Sequence, residues 1–302
     1  MGNTDFYAAF YRLYRHIIND AVTLPYIFSA LLYVNINGHL IPHSQASLPV
    51  GNTAFRYGAG LFETIRVSNG AINLEQYHWD RLLNGLAQLQ WPVPSLLTRQ
   101  VLTAQVLRTV KKNAMEHLCR VRLQVYGGNG GIFGPDSNEL NYIIECFPLT
   151  ESDISFNDNG LILGIAAGLR KSPDTLANLK SCNALLYTTA GRQAKQHRWN
   201  DALICNTGGN IIESVIANIF WVKDNQIYTP PLTEGCVAGV MRRHLLATIP
   251  GITETPLSTH ELMQAHEVFL TNAIKGIRWV KAIDNATYHS SRASRLHASL
   301  CQ

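Results

Sequence analysis

The sequence lacks the usual marks of a disulfide-stapled, metal-bound or nucleic-acid-binding protein. Its six cysteines form no C-x-x-C pair and no framework spacing, so they are read as reduced thiols in a cytosolic protein. Charged residues make up only 15% of the chain and no run of five Lys or Arg occurs, which points away from nucleic acid and anionic membranes. The 11 histidines include no i, i+4 pair followed by an acid, so no metal site is expected. No Gly-x-Ser-x-Gly is present, and a hydrolase triad therefore lacks support. One apolar stretch near the start, residues 21–34, carries no charge; it is too short to cross a bilayer as a helix and has no clear small-x-small cleavage site after its apolar core.

What is present is a globular composition. Hydrophobic residues reach 46%, enough for full-sized cores, and the length implies about two domains. The net charge of +4 is spread along the chain and suits a small anionic substrate. The polar stretch from Pro148 to Gly160 reads as a linker. The expected division is an N-terminal extension over residues 1–30, with a helix over about 5–19, then a small α/β domain over 31–148. A linker over 149–159 and a larger domain over 160–302 follow. Leu61–Val67 alternates as a strand and Ser68-Asn69-Gly70 is a hairpin turn. Apolar residues at 79, 82, 83, 86 and 89 have helical spacing. Further strands are expected over 31–36, 119–126, 141–147, 161–167, 202–205, 211–213, 218–222, 226–228 and 267–270. Helices are expected over 96–114, 176–197, 238–249 and 261–265. The fold class is α/β with mixed (α+β) sheets.

Several residues invite a chemical reading beside a plain one. Gly127-Gly128-Asn129-Gly130-Gly131 resembles a phosphate loop, yet no Lys-Ser/Thr follows and no helix opens after it, so a hairpin or lid is the better reading. Lys180 is flanked by Leu176, Leu179, Leu185 and Leu186; desolvation there would lower its pKa and suit it to a Schiff base, while the plain alternative is a lysine reaching out to solvent. Glu213 is an acid on an apolar strand, which is costly unless it is paired. Gly239-Val240-Met241 opens a helix whose free N–H groups would hold a phosphate.

Taken in order, the blocks containing these residues resemble the class IV aminotransferase family, the fold-type IV enzymes that use pyridoxal 5′-phosphate (PLP). The blocks are Tyr57-Gly-Ala-Gly-Leu-Phe-Glu-Thr-Ile-Arg66, His78-Trp-Asp-Arg-Leu82, Leu179-Lys-Ser-Cys-Asn183 and Gly209-Asn-Ile-Ile-Glu-Ser214, followed by Asn218-Ile-Phe220, Tyr228-Thr-Pro-Pro231, Gly239-Val-Met-Arg242 and Glu267-Val-Phe-Leu-Thr-Asn-Ala273. The resemblance covers residues 32–285. It implies two α/β domains of the D-amino acid aminotransferase-like fold, a cleft between them, and a homodimer in which a partner loop roofs the cleft. It also implies roles. Lys180 becomes the Schiff-base lysine and Glu213 the partner of the ring nitrogen. Arg81 becomes the phosphate arginine, with the N–H groups of Val240 and Met241 and the side chain of Asn272 completing the phosphate cup. Arg122 and Tyr57 become substrate contacts, and Thr64 a hydroxyl near the reacting atoms.

Within the family the subgroup pattern leans to aminodeoxychorismate lyase. Branched-chain transaminases usually place a tyrosine five residues after the lysine, where this chain has Leu185, and Lys180-Ser-Cys-Asn183 is similar to the Lys-x-x-Asn of lyases and D-amino acid transaminases. Gly58-Ala59-Gly60 departs from the family's glycine-acid-glycine. Three functions are therefore carried forward. They are release of pyruvate from 4-amino-4-deoxychorismate, transamination of a branched-chain or D-amino acid with 2-oxoglutarate, and a non-catalytic binding protein that kept the fold.

Overall fold

The computed structural model describes residues 32–95, 97–131 and 140–300. The expected extension 1–30 with its helix, and the continuation of the glycine-rich loop over 132–139, lie outside the described residues.

The first half of the chain builds one antiparallel sheet. Its strands are β1 (Tyr33–Ile36), β2 (His39–Pro42), β3 (Gly60–Ser68), β4 (Ala71–Ile72), β5 (Leu118–Gly127) and β6 (Leu140–Pro148), in the order β2-β1-β6-β5-β3-β4. A short helix α1 (Thr53–Tyr57) leads into β3. The turn from β3 to β4 puts Asn69 at φ 50° and Gly70 at φ 74°, the left-handed pair that matches the twist of a tight hairpin. Along β3 the side chains alternate: Leu61, Glu63, Ile65 and Val67 are buried, whereas Phe62, Thr64 and Arg66 lie on the other face. The buried face packs against α2 (Glu75–Gln88) and α3 (Arg99–Lys112) through Trp79, Leu82, Leu86, Leu102, Val106 and Val110. The opposite face, with Phe62, Thr64 and Arg66, turns toward the second half of the chain, where Arg66 Nη1 donates to the Ile274 carbonyl at 3.2 Å.

After a connection containing α4 (Glu151–Ile154), closed by a capping box from Thr150 and Asp153, the second half builds a nine-stranded mixed sheet. Its strands are β7 (Leu161–Lys171), β8 (Asp201–Asn206), β9 (Ile211–Ser214), β10 (Asn218–Lys223), β11 (Gln226–Thr229), β12 (Thr253–Glu254), β13 (Glu267–Asn272), β14 (Gly276–Ile283) and β15 (Ala286–Thr287). The path runs β12-β11-β10-β13-β14-β7-β8-β9, and Asn218 on β10 also pairs with Glu213 on β9, so the sheet curls back on itself. Helix α5 (Leu185–His197) covers β7 and β8 through Ala190 and Ala194. Helices α6 (Val240–Thr248), α7 (Thr259–Met263) and α8 (Ser291–Leu300) complete the covering layer.

One expected element is corrected here. The helix predicted over 176–197 begins only at Leu185, and residues 172–184 form an irregular connector. The backbone of that connector is committed elsewhere. Lys180 accepts from Phe62 N–H at 2.9 Å, Cys182 N–H donates to the Gly60 carbonyl at 2.8 Å, and Ser181 bridges Leu61. Asn178 donates its side-chain amide to the carbonyls of Leu232 and Cys236. These bonds to β3 and to the loop before α6 replace the helical ladder, and tertiary pairing overrides the leucine-rich pattern. Strand β14 and helix α8 were not anticipated either; Arg278 and Lys281 interrupt any clean alternation in β14.

Candidate active site

The connector holds Lys180 against the start of β3, and its side chain crosses the outward face of that strand. Its Nζ lies 4.5 Å from the centroid of the Phe62 ring. Burial pulls the Lys180 amine down to about 8, helped by the charges of Arg81 and Arg122 and opposed by those of Glu63 and Glu213. Four named charges from four different elements therefore converge on one amine.

Arg81 comes from α2, one turn after His78. Its guanidinium forks onto Glu63: Nε donates to Oε1 at 2.7 Å and Nη2 donates to Oε2. His78 Nδ1 lies 2.6 Å from the same carboxylate. Glu63 is buried, which would raise its pKa, but the Arg81 charge and the hydrogen bonds from Arg81 and His78 outweigh burial and hold it at about 2. Burial pushes His78 down toward the neutral form, so the ring donates Nδ1–H to an ionised Glu63. Clamped in this way, Arg81 extends Nη1 across the cleft to the Ala238 carbonyl at 3.1 Å, immediately before α6.

Helix α6 starts without a side-chain cap. Gly239 is its N-cap residue and, among the described residues, no side chain accepts from the first-turn N–H groups, those of Val240 and Met241 among them. A Cβ at Gly239 would lie 1.8 Å from Asn218 Oδ1, so only glycine fits there, and Asn218 in turn donates to the Val237 carbonyl at 2.9 Å. A guanidinium beside an uncapped helix start is a cradle for a phosphate dianion.

Glu213 sits on β9, 3% exposed. Its Oε1 accepts from Lys171 Nζ and from Tyr187 Oη, both at 2.7 Å, and its Oε2 accepts from Val237 N–H at 2.8 Å. Val237 thus links Glu213 to the segment that opens α6. On the sheet of the first half, Arg122 faces Thr64 across the β3–β5 ladder, stands 4.0 Å over the Phe62 ring and donates to Gln124 Oε1 at 2.8 Å. Tyr57 closes α1 and is 40% exposed; the next residue, Gly58, turns with φ 67° against the backbone of Asn183. Asn272 ends β13, and its Oδ1 accepts from Ile274 N–H at 3.0 Å and Lys275 N–H at 2.8 Å, so that oxygen organises its own turn. Its amide reaches the Ile216 carbonyl at 3.4 Å.

The structure thus brings Arg81, Glu213 and Arg122 within electrostatic reach of Lys180, with Thr64 opposite Arg122 on the sheet and the start of α6 beside Arg81. Three further residues of the cleft were not singled out in sequence: Glu63, Lys171 and Tyr187. Glu63 had a signal, a charge at the parity shared by the apolar Leu61, Ile65 and Val67, whereas Lys171 and Tyr187 had none. The donor set fits a ligand with an aldehyde, a ring nitrogen and a phosphate. Lys180 suits the first and the arginine–helix cradle the third. For the second, Glu213 offers the one acceptor position on Oε2 that its three protein donors leave open.

Residues 60–283 match the family model for amino-transferase class IV, and the chain belongs to that family, whose cofactor is PLP. The aminodeoxychorismate lyase of Vibrio harveyi is 29% identical over 245 residues, which cover 79% of this chain and 88% of that protein. The branched-chain-amino-acid aminotransferase of Escherichia coli strain K12 is 25% identical over 264 residues, covering 83% and 85%. Among solved structures, 4-amino-4-deoxychorismate lyase from Pseudomonas aeruginosa superposes with a TM-score of 0.75 at 27% identity, covering 88% of this chain and 97% of that one. The chain is thus a PLP-dependent enzyme of a family that holds both lyases and transaminases.

Proposed function

We propose that the protein acts on the amino group of a small anionic substrate and releases pyruvate from 4-amino-4-deoxychorismate, leaving 4-aminobenzoate. The carrying observation is the convergence on one cleft of a lysine with a lowered pKa, an arginine beside an uncapped helix start, and a buried carboxylate with one open acceptor position. When bound, PLP supplies an aldehyde for the substrate amine and a ring that accepts electrons released at the substrate carbon. Arg81 and the N–H groups of Val240 and Met241 would hold the phosphate, and Glu213 would meet the ring nitrogen. Lys180 Nζ, with its pKa lowered to about 8, takes a proton in one step and returns it in the next. Arg122 meets a substrate carboxylate, and Thr64, opposite it on the same sheet face, offers a hydroxyl to the reacting atoms. Tyr57 is a further substrate contact in this reading. The active form is a homodimer.

The lyase reading is supported by Lys180-Ser-Cys-Asn183, by Leu185 at the transaminase tyrosine position, and by the Vibrio and Pseudomonas likenesses. The E. coli relative supports transamination as the competing reading. PLP-loaded protein is to be assayed with aminodeoxychorismate, L-leucine, L-glutamate and D-alanine. Pyruvate from aminodeoxychorismate is expected. No pyruvate, together with steady glutamate formation from an amino donor and 2-oxoglutarate, reverses the ranking. Borohydride treatment should fix the cofactor on the peptide containing Lys180; a protein that takes up no cofactor is a binding relative and not an enzyme of this kind.

A further inference from the structure

The segment that carries Lys180 is pinned to Glu213 from both sides. Lys171 is the last residue of β7, immediately before the connector, and Tyr187 lies in the first turn of α5, just after it. Both donate to the same oxygen, Glu213 Oε1, and Lys171 Nζ also donates to Tyr187 Oη at 2.7 Å. The backbone holds this arrangement in place: Lys171 pairs with Asn206 on β8, and Thr207 N–H donates to the Lys171 carbonyl at 3.1 Å.

Building on the proposed role of Glu213, we infer that Lys171 and Tyr187 are positioning residues that keep its carboxylate ionised and aimed at the cofactor's ring nitrogen. A carboxylate this deeply buried favours its protonated form unless a cation or strong donors accompany it. Among the described residues, Lys171 is the only cation within hydrogen-bond distance of Glu213. The other titratable groups around it supply no second charge in contact. Burial and the Glu213 charge push the Tyr187 hydroxyl up, so it remains a neutral donor, and burial with the same charge pushes Cys236 up to about 12. Lys180 feels Glu213 only across the cleft.

The geometry sets the direction of the effect. Lys171 touches Oε1, whereas the open acceptor position is on Oε2. Its charge therefore stabilises the carboxylate at contact and opposes a protonated ring nitrogen only from across the carboxylate. The proton shared between Glu213 and the ring stays on the ring. Remove Lys171 and the buried carboxylate takes that proton, leaving a neutral ring that accepts electrons less well.

The test is the ring-nitrogen NMR signal of holoenzyme reconstituted with 15N-labelled PLP at neutral pH, read beside activity. In wild type the signal is expected at the protonated position. Lys171→Met should move it toward neutral pyridine, Lys171→Arg should restore it, and Tyr187→Phe should move it the same way by less. Glu213→Gln is the reference for a ring without its partner. If Glu213→Gln moves the signal while Lys171→Met and Tyr187→Phe leave it in place, the inference is wrong and the reading beneath it stands. If Glu213→Gln itself leaves the signal unmoved, the proposed role of Glu213 falls first. Should Lys171→Met fail to fold, Tyr187→Phe, which deletes a single oxygen, decides the matter alone.

Discussion

The depressed pKa of Lys180 can be measured without knowing the substrate. The amine is held near 8 against an ordinary value of 10.5. Below both values that difference multiplies the neutral, nucleophilic fraction by roughly 300. At pH 7 it means roughly one molecule in ten carries a neutral amine, against roughly one in three thousand for an ordinary lysine. The assay is the initial rate at which apoprotein captures pyridoxal, which lacks the phosphate and so removes its titration from the profile. The rate should rise tenfold per pH unit and level off near pH 8. Lys180→Ala should leave only slow capture by surface lysines, still climbing at pH 10. Burial is the largest cause of the shift and the Arg81 charge the next, so Arg81→Gln should raise the inflection only part of the way. A wild-type rate that climbs unbroken to pH 10 would refute the account of the cleft as a desolvated, cation-lined pocket.

Other consequences concern the scaffold. Glu63 is held at about 2 in the fold against an ordinary 4.5, so its contribution to stability is complete above pH 4.5 and is lost as the pH falls through 2. Glu63→Gln should lower stability by roughly 3 kcal/mol at pH 7 because it leaves Arg81 without its counterion, and it should flatten the acid dependence in urea titrations. Gly239→Ala places a methyl 1.8 Å from Asn218 Oδ1 and should displace the start of α6. Equilibrium dialysis should then show PLP retention roughly tenfold weaker, with pyridoxal affinity unchanged. Gly164→Ala drives a Cβ to 2.2 Å from the Trp199 ring and should lower the urea midpoint by an amount equivalent to roughly 1–3 kcal/mol.

Where local chemistry decides the structure, the sequence was readable. Asn69-Gly70 is a hairpin turn because both residues tolerate positive φ, and the spacing of Trp79, Leu82 and Leu86 is a helix because each reaches the same face of the first sheet. The connector around Lys180 was misread as helix because its backbone partners, Gly60 and Phe62, lie far away in sequence. The site divides along the same line. Lys180, Arg81 and Glu213 stand in recurring blocks and could be named, and Arg122 and Thr64 could be paired once β3 and β5 were strands. Glu63 lies within the first of those blocks, with no role implied by the resemblance. Yet a carboxylate at the parity of Leu61, Ile65 and Val67 must find a cation inside the core, and two residues of the next helix, His78 and Arg81, are spaced to meet it. Lys171 is a different case. At a strand end beside Arg170 it reads as solvated, and nothing local announces a partner. Its pairing with Glu213 exists only because β7, β8 and β9 lie side by side, so the cation beside that buried carboxylate follows from sheet order and not from any motif.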